Sequence, residues 1–500
     1  MKVNGLSNNI NFKGPLDGMV TGALRACDMN EMVNAVGLDV GAMVIPRAYY
    51  DTKARNEYAG AETFIREASG TFINCLSAGL FAMGISKIAS KRIQPEIKVN
   101  PDSWYSAESL GALKKAWDKT GNLDGYLNKV LESISGRDVN KVNELKNICW
   151  QDVEWVDEAR WEKIKWDNQG YRGVQDKLKT KADFINTFKE LIRDENITKD
   201  DKKCVLSIME KRLANVLGAE RDTALNVDGV KLSAKLENIL RDTHDMGKDV
   251  FTKHSSKEIE QIINKTLKVN KVKAFGAITA SCILGLTNQA LNRKITEKRT
   301  GVKGFVGDIG YGTEGACARE DKYLSAKKIG ASALMIALIF ATMGVKNFKE
   351  FANKLQFTGP ITGGNAIKTV YGATIVGRFL AADNGTELRE SMTRDYLGFL
   401  NWLVFGGFFA KGAANLLDRK GQNLFNYTKE GKGLKHWFND MSLKTHNEIA
   451  SKGSEFAKKN MWKLNAAQAS GIAYSAVTLG ILLPMLNAKV TEMRANKNKH

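Results

Sequence analysis

Histidine, cysteine and proline are scarce in this chain of 500 residues, which contains 5, 6 and 6 of them respectively. The cysteines are widely scattered, form no CxxC pair, and none lies near a histidine at the spacing of metal ligands. This pattern argues against a disulfide framework and against a zinc site, so we expect reduced thiols and no bound metal. The low proline content favours helices over a turn-rich β architecture.

Catalytic signatures are also missing. The sequence contains no HExxH, no GxSxG and no P-loop, so no catalytic residue, cofactor or enzymatic activity is predicted. The segment GYGTEG at 310–315 matches GxGxxG. A dinucleotide-binding GxGxxG follows a strand and opens a helix within a βαβ unit. Here the segment GVKGFVGDI precedes the motif in a sequence with otherwise helical signals, and no second strand is predicted after it. We interpret it as part of a flexible linker.

The N-terminal segment lacks the apolar stretch of a secretory signal. We therefore expect no cleaved signal peptide, and an internal segment would direct any insertion into a membrane.

The net charge of +19 requires an anionic partner to be considered. Lysine plus arginine equals aspartate plus glutamate between residues 93 and 270, so the whole excess lies elsewhere, around the apolar segments. This distribution is typical of contact with anionic lipid headgroups. It predicts no nucleic-acid partner.

Two distant segments of the chain are nearly the same. Ala274–Arg299 aligns with Ala469–Arg494 without a gap and is identical at ten of 26 positions, whereas ordinary composition gives about one or two. Three further blocks repeat in the same order: Phe12–Gly18 with Phe357–Gly363, Asn34–Arg47 with Asn365–Arg378, and Glu62–Gly84 with Glu390–Gly412. Four collinear blocks indicate a tandem duplication.

The two copies differ in length because the first carries an insertion. Its local signals are helical, with capping-box sequences at Thr180 and Ser255 ahead of apolar-periodic runs. We predict a soluble helical insert that offers a surface to a protein partner. The predicted organisation is as follows: 8–92, first part of repeat one; 93–268, insert; 269–299, last apolar helix of repeat one; 300–324, Gly-rich linker; 325–352, unpaired apolar helix; 353–494, repeat two.

Five uncharged runs approach the roughly 20 residues that a helix needs to cross a bilayer. They are Ala68–Ser86, Ala274–Asn292, Ile329–Val345, Tyr396–Ala410 and Leu464–Ala488. The first two repeated blocks are interrupted by charges, so they are not predicted to span. Each copy would contribute two of the five crossings, and the unpaired helix would lie between the copies. This odd number of crossings predicts an inverted orientation of the second copy.

Polar residues within these runs, and charges repeated in both copies, are the candidate functional positions. The intramembrane polar candidates are Asn74, Thr287, Asn288, Gln289 and Asn401. The repeated charged positions are Arg47, Glu62, Arg66, Glu297, Arg378, Glu390, Arg394 and Glu492. Such charges could line an ion pathway, or they could form i,i+4 ion pairs such as Glu62–Arg66 at the water interface.

The sequence therefore predicts an all-α, multi-pass membrane protein with two duplicated halves and an inserted soluble helical domain. It would act as a transporter-like module or as a membrane scaffold. The alternative is a soluble or peripheral helical protein that binds anionic membrane surfaces through its basic flanks.

Overall fold

The computed structural model describes residues 15–29, 31–54, 56–97, 107–136, 178, 180–217, 223–234, 236–301, 322–355, 364–421, 423–427, 431, 433–450, 454–487 and 489–490. The described chain is mostly helical with a few short strands, as the sequence predicts.

The helices before the insert are α1 Pro15–Met29, α2 Glu31–Leu38, α3 Ile45–Ala54, α4 Glu57–Thr71 and α5 Ala78–Ile93. The region predicted to be an insert contains α6 Ala107–Thr120, α7 Leu123–Glu132, β1 Ile134–Gly136, α8 Lys181–Arg193, α9 Lys199–Leu217, β2 Thr223–Val227, β3 Val230–Ala234 and α10 Leu236–Met246. There follow α11 Ser256–Thr300, α12 Leu324–Met343, α13 Phe348–Lys354, α14 Gly364–Ala381, α15 Gly385–Leu400, α16 Gly406–Leu417, β4 Phe425–Tyr427, α17 Leu434–Asn439, β5 Met441–Leu443, α18 His446–Ala450 and α19 Ser454–Val477. Short π-helical segments occupy Asp39–Val44, Phe72–Ser77, Gly247–Phe251, Asn401–Phe405 and Thr478–Leu482.

Among the described residues, five helices are long and apolar enough to cross a membrane, and each covers all or nearly all of one of the five predicted runs. They are Glu57–Ile93, Ser256–Arg299, Leu324–Met343, Glu387–Leu417 and Glu455–Asn487. The predicted linker at 300–324 lies almost entirely outside the described residues.

The insert is not purely helical, contrary to the prediction. Its strands form a small antiparallel sheet in the order β1-β2-β3. The turn between β2 and β3 places Asp228 and Gly229 at positive φ, 47° and 87°, which is the backbone geometry of a tight two-residue hairpin turn. An Asp-Gly pair between two short apolar segments is a recognised hairpin signal, so the sequence did contain the information that was missed.

The predicted capping boxes are confirmed. Thr180 accepts a hydrogen bond from the backbone of Asp183, whose side chain accepts from the Thr180 backbone. Glu258 accepts from the backbone of Ser255 at 2.8 Å, and α11 begins at this cap. The helix then continues for 45 residues, so it passes through the predicted insert boundary at 268 without a break.

The directions of the bundle helices follow from their contacts. Gly285 of α11 approaches Thr374 of α14, and Arg293, further along α11, pairs with Asp383 just after α14. These two helices therefore run in the same direction. Asn74 receives a hydrogen bond from Thr374, so a position after α4 contacts the middle of α14.

Helix α4 is antiparallel to α14. Glu67 precedes Asn74 in the chain, but its partner Arg378 follows Thr374, the partner of Asn74. Helices α14 and α15 are joined by a short connection and also run antiparallel. Consequently α4 and α15, which carry the aligned blocks, run in the same direction. The predicted inverted orientation is therefore wrong.

The error has a physical cause. The continuous helix from Glu31 to Ala54 and helix α14 both run alongside the apolar helices, although charges interrupt their apolar runs. Much of α14 is buried by its neighbours. A helix enclosed by protein has no lipid-facing surface to keep apolar, so it need not meet the hydropathy of a lipid-exposed span.

Candidate functional site

Six charged side chains from α3, α4, α14 and α15 meet inside the helical bundle. We call this group the charge cluster; it consists of Arg47, Arg66, Glu67, Arg378, Arg394 and Asp395. Five of the six are buried and Arg394 is nearly so. A buried charge is tolerated only when it is paired and hydrogen-bonded, and each member has such a partner.

Glu67 is the acceptor for three arginines. Its Oε1 lies 3.5 Å from Arg47 Nη1 and 3.3 Å from Arg66 Nε. Its Oε2 receives Arg378 Nη2 at 3.3 Å. One carboxylate therefore ties together helices that are distant in the sequence.

Asp395 of α15 is likewise the acceptor for two arginines. Its Oδ1 receives Arg378 Nη1 at 2.9 Å and Arg394 Nε at 3.0 Å, and the residue is 0% exposed. Arg378 thus bridges Glu67 and Asp395 with its two terminal nitrogens.

Two glycines leave room for the guanidinium groups. A Cβ added at Gly70 would lie 3.5 Å from Arg378 Nη2, and one added at Gly398 would lie 3.6 Å from Arg47 Nη2. Both positions are glycine in the sequence repeat. Larger side chains there would press on the arginines and disturb their pairing.

Arg47 and Arg378 also differ in the contact made by their Nε atoms. Arg47 Nε donates to the backbone carbonyl of Leu479 at 3.2 Å, within the π-helical segment that follows α19. Arg378 Nε has no hydrogen-bond partner among the described residues, although the side chain is 2% exposed. A π-helical turn frees a carbonyl for such a contact, and α11 has no π-helical turn near Leu284, the position aligned with Leu479.

The predicted charged positions divide into three groups. Arg47, Arg66, Arg378 and Arg394 belong to the charge cluster. Glu62 and Glu390 are buried at the same end of the bundle, and Arg66 pairs with its neighbour Glu67 rather than forming the surface pair with Glu62. Glu297 is exposed, and Glu492 lies outside the described residues.

The predicted polar positions are not brought together in one place. Asn74 is buried and its Oδ1 accepts from Thr374 Oγ1 at 2.8 Å. Asn401 Oδ1 accepts from the Tyr474 hydroxyl at 2.7 Å. Thr287 is exposed and donates to the carbonyl of its own helix at Ile283.

Asn288 and Gln289 are buried in α11. Asn288 Nδ2 and Gln289 Oε1 have no hydrogen-bond partner among the described residues. Both lie one turn beyond Gly285, on the part of α11 that faces α4 and α14.

Three buried carboxyl residues were missed in the sequence. Glu67 and Asp395 occupy aligned positions next to Arg66 and Arg394, but they are not identical, and only identical charges were selected. Asp39 was treated merely as an interruption of an apolar run. Its carboxylate accepts a hydrogen bond from Thr71 Oγ1 at 2.6 Å, and the residue is 4% exposed.

Within the described part of the chain, no three His, Cys, Asp or Glu residues are grouped so that they could hold a metal ion. The charge cluster consists of donors matched to carboxylates, which suits ion pairing and proton exchange rather than metal coordination. No protein-family model, no curated protein and no solved structure matches the chain.

Proposed function

We propose that this chain is a multi-pass membrane protein whose two related three-helix units form a transporter-like module around the charge cluster. Unit one comprises α2–α3, α4–α5 and α11; unit two comprises α14, α15–α16 and α19. Helix α12 connects the two.

The observation that carries this proposal is the distribution of side chains in the bundle, which has apolar residues outside and charged residues inside. Only 22% to 44% of the apolar window of each of the five helices is buried, and large apolar residues such as Phe64, Leu80 and Ile336 are more than half or about half exposed. The arginines and carboxylates of the charge cluster are inside. A water-soluble protein has the reverse arrangement, whereas a membrane protein keeps costly charges away from lipid.

Corresponding local structures support the relation between the units. Asn56 caps α4 by accepting from Ala59, and Asn384 caps α15 by accepting from Glu387. Both helices then continue through a π-helical segment, at Phe72–Ser77 and Asn401–Phe405, which the sequence alignment superposes. A shared π-helical insertion at one aligned position is unusual, since such segments are rare.

Packing between the units is reciprocal. Gly285 of unit one lies against Thr374 of unit two, and its aligned glycine, Gly480, lies against Ala42 and Pro46 of unit one. The last helix of each unit therefore packs on the first helix of the other. Since aligned helices run in the same direction, the axis that relates the units lies along the membrane normal.

Such an arrangement suits transport. The charge cluster joins the units through the Arg378–Glu67 ion pair, so relative movement of the units must rearrange buried charges. In membrane proteins, buried ionisable groups line substrate or ion pathways. The basic flanks of the helices would contact anionic headgroups, and the insert would offer a surface to a protein partner.

Membrane integration is tested by alkaline carbonate extraction. The protein is expected to remain in the membrane pellet. Release into the supernatant would instead support the alternative, a peripheral protein that binds anionic lipid.

Orientation is tested with single cysteines at two aligned positions in a background without native cysteines. Glu57→Cys and Gly385→Cys mark the first residues of α4 and α15. Both are expected to react with an impermeant maleimide from the same side of the membrane. Reaction from opposite sides would contradict parallel units.

Transport is tested in proteoliposomes with a panel of inorganic cations, inorganic anions, small carboxylates and amines. Arg378→Lys keeps the charge but loses the two-carboxylate fork, so flux of any transported solute should fall at least tenfold. Arg299→Lys, at an exposed position, is the matched control and should behave as wild type. Absence of flux for the whole panel, with the protein folded and integrated, would favour a scaffold role.

A further inference from the structure

Asp39 is a buried carboxyl beside the charge cluster that none of the arginines described by the structure neutralises directly. Glu67 and Asp395 are each held by arginines at 3.5 Å or less. The hydrogen bond recorded for the Asp39 carboxyl comes from the Thr71 hydroxyl. No lysine or arginine of the described residues lies within 4 Å of it.

The position of Asp39 is specific to unit one. The aligned residue in unit two is Val370, which is also buried. Asp39 opens the π-helical segment Asp39–Val44, whereas α14 has no such segment. The carboxyl and the π-helical segment occur together in this helix, and both are absent from the aligned positions of α14.

The Thr71 hydroxyl limits how many hydrogen bonds can form beside Asp39. Its single hydroxyl hydrogen faces two acceptors, Asp39 Oδ2 at 2.6 Å and the Glu67 carbonyl oxygen at 3.0 Å. When Asp39 is ionised, the hydroxyl can satisfy only one of them. When Asp39 carries a proton, it can donate to Thr71 Oγ1, and Thr71 can donate to the Glu67 carbonyl. The same heavy-atom positions therefore accommodate both protonation states.

Four other titratable groups interact electrostatically with Asp39: Arg47 on the same continuous helix, and Glu67, Cys75 and Arg378 on the helices packed against it. Glu67 is the carboxylate that joins Arg47 of unit one to Arg378 of unit two. An ionised Asp39 adds a second negative charge beside this link and competes for the same arginines, while a neutral Asp39 leaves both arginines to Glu67.

We propose that Asp39 is a proton-binding site, and that its occupancy by H⁺ controls the ion pairs between the two units. The proton enters on Asp39 Oδ2, is shared with Thr71, and leaves from the same oxygen, so no other reactant is required. This inference rests on the proposed membrane module, which it would make proton-coupled.

The primary test is infrared difference spectroscopy of the protein in lipid nanodiscs as the pH is changed. Wild type should show the carbonyl band of a non-hydrated carboxylic acid that appears on acidification. Asp39→Asn should lose the intensity of one such group. An unchanged band in Asp39→Asn would overturn the proposal and assign the titration to another carboxyl.

Asp51→Asn is the matched control. Asp51 also accepts from a threonine of α4, Thr63 Oγ1 at 2.5 Å, but it is half-buried at the end of the bundle. The control should retain the band. Its loss in Asp51→Asn but not in Asp39→Asn would also overturn the proposal.

Thr71→Val supplies a second variant, which keeps the acid if Asp39→Asn fails to fold. Loss of the hydroxyl removes the hydrogen-bond partner of the acid, so the band should shift in frequency. No shift would contradict the assignment to Asp39.

Failure of transport and failure of the proton site can be separated. A titrating Asp39 band without solute flux in proteoliposomes would reject transport and keep the proton site. Flux with the same pH profile in wild type and Asp39→Asn would keep transport and reject the proton site.

Discussion

Arg378 Nη2 lies 3.3 Å from Glu67 Oε2, although 311 positions separate the two residues. Both side chains are buried. This ion pair connects α14 with α4.

Glu67→Gln should strongly destabilise the protein. The substitution leaves three arginines, Arg47, Arg66 and Arg378, facing a neutral amide in a buried site. Removing one partner of a buried ion pair costs about 3–5 kcal/mol. Thermal unfolding in detergent should show a clear fall in Tm, whereas Glu297→Gln at an exposed position should not. Equal Tm values for the two variants would show that the pair contributes no stability.

Gly377→Ala tests the close approach of α14 and α11. An added Cβ would lie 2.5 Å from the Leu286 carbonyl oxygen and 2.7 Å from its Cα. Backbone atoms cannot rotate away, so the helices must separate, at a cost of about 1–3 kcal/mol. Gly84→Ala is the control, because no atom lies within 4 Å of its Cβ position and alanine favours a helix. A neutral Gly377→Ala would mean that these helices do not touch here.

The insert should fold as a soluble fragment of residues 93–268 with a helical circular dichroism spectrum. An unfolded fragment would show that the predicted boundaries are wrong. Its stability should also depend on pH through Asp242, which is hydrogen-bonded to Ser109 and Arg241.

Burial raises the pKa of Asp242 to about 7. The folded insert therefore binds this proton more tightly than the unfolded chain does, and the resulting stability is lost as the pH rises through about 7. As the pH rises from about 4 to about 7, the free energy of unfolding should decrease by a few kcal/mol, and Tm should fall accordingly. Asp242→Asn should flatten the profile, and Asp118→Asn, at a surface ion pair, should leave it unchanged.

Asp245, three residues away, acts in the opposite direction. Burial alone would raise its pKa, but hydrogen bonds with His244 and Lys202 lower that pKa to about 2. Its contribution is present above the unfolded pKa and is lost only in strong acid, so it does not obscure the effect of Asp242.

The native cysteines can test the proposed membrane location. Cys75 is 0% exposed and Cys282 is half-buried, both within the apolar helices, whereas half-buried Cys204 belongs to the insert. In mild urea, a charged maleimide should label Cys204 and leave Cys75 and Cys282 protected until detergent is added. Cys149, which lies outside the described residues, is predicted to label with Cys204. Simultaneous labelling of all four before detergent would contradict a membrane location.

Asn74→Ala and Asn401→Ala separate transport from scaffolding. Each removes an acceptor for a hydroxyl of another helix, Thr374 and Tyr474 respectively. Both variants should abolish flux in proteoliposomes while partner binding by the insert persists. Thr287→Ala, at an exposed position, should transport normally. Normal flux in both asparagine variants would exclude these amides from the transport pathway.

Sequence patterns were sufficient to predict the long apolar helices and the capped starts of two helices. Apolar runs predicted five long helices, and the side chains of Thr180 and Ser255 predicted where two helices begin. These features depend on local chemistry, which periodicity and capping express directly.

Sequence patterns did not predict the features of the fold that depend on tertiary contacts. Asp39 and Lys368 broke the apolar runs of α2–α3 and α14, so these helices were not predicted to join the bundle, and the orientation of the second unit was consequently reversed. Helix α11 is continuous through Gln289, the position aligned with Pro484. Near Pro484 the helix adapts through the π-helical segment Thr478–Leu482.

The length of α11 gives it a mechanical consequence. A regular helix rises 1.5 Å per residue, so its 45 residues extend for about 68 Å. The helix is pinned between neighbours at Gly285. A tilt of roughly 5° about that point would move the distant Ser256 end by about 4 Å. A small change of tilt where α11 packs on α14 would therefore be amplified into a displacement of several ångströms at the Ser256 end of the helix.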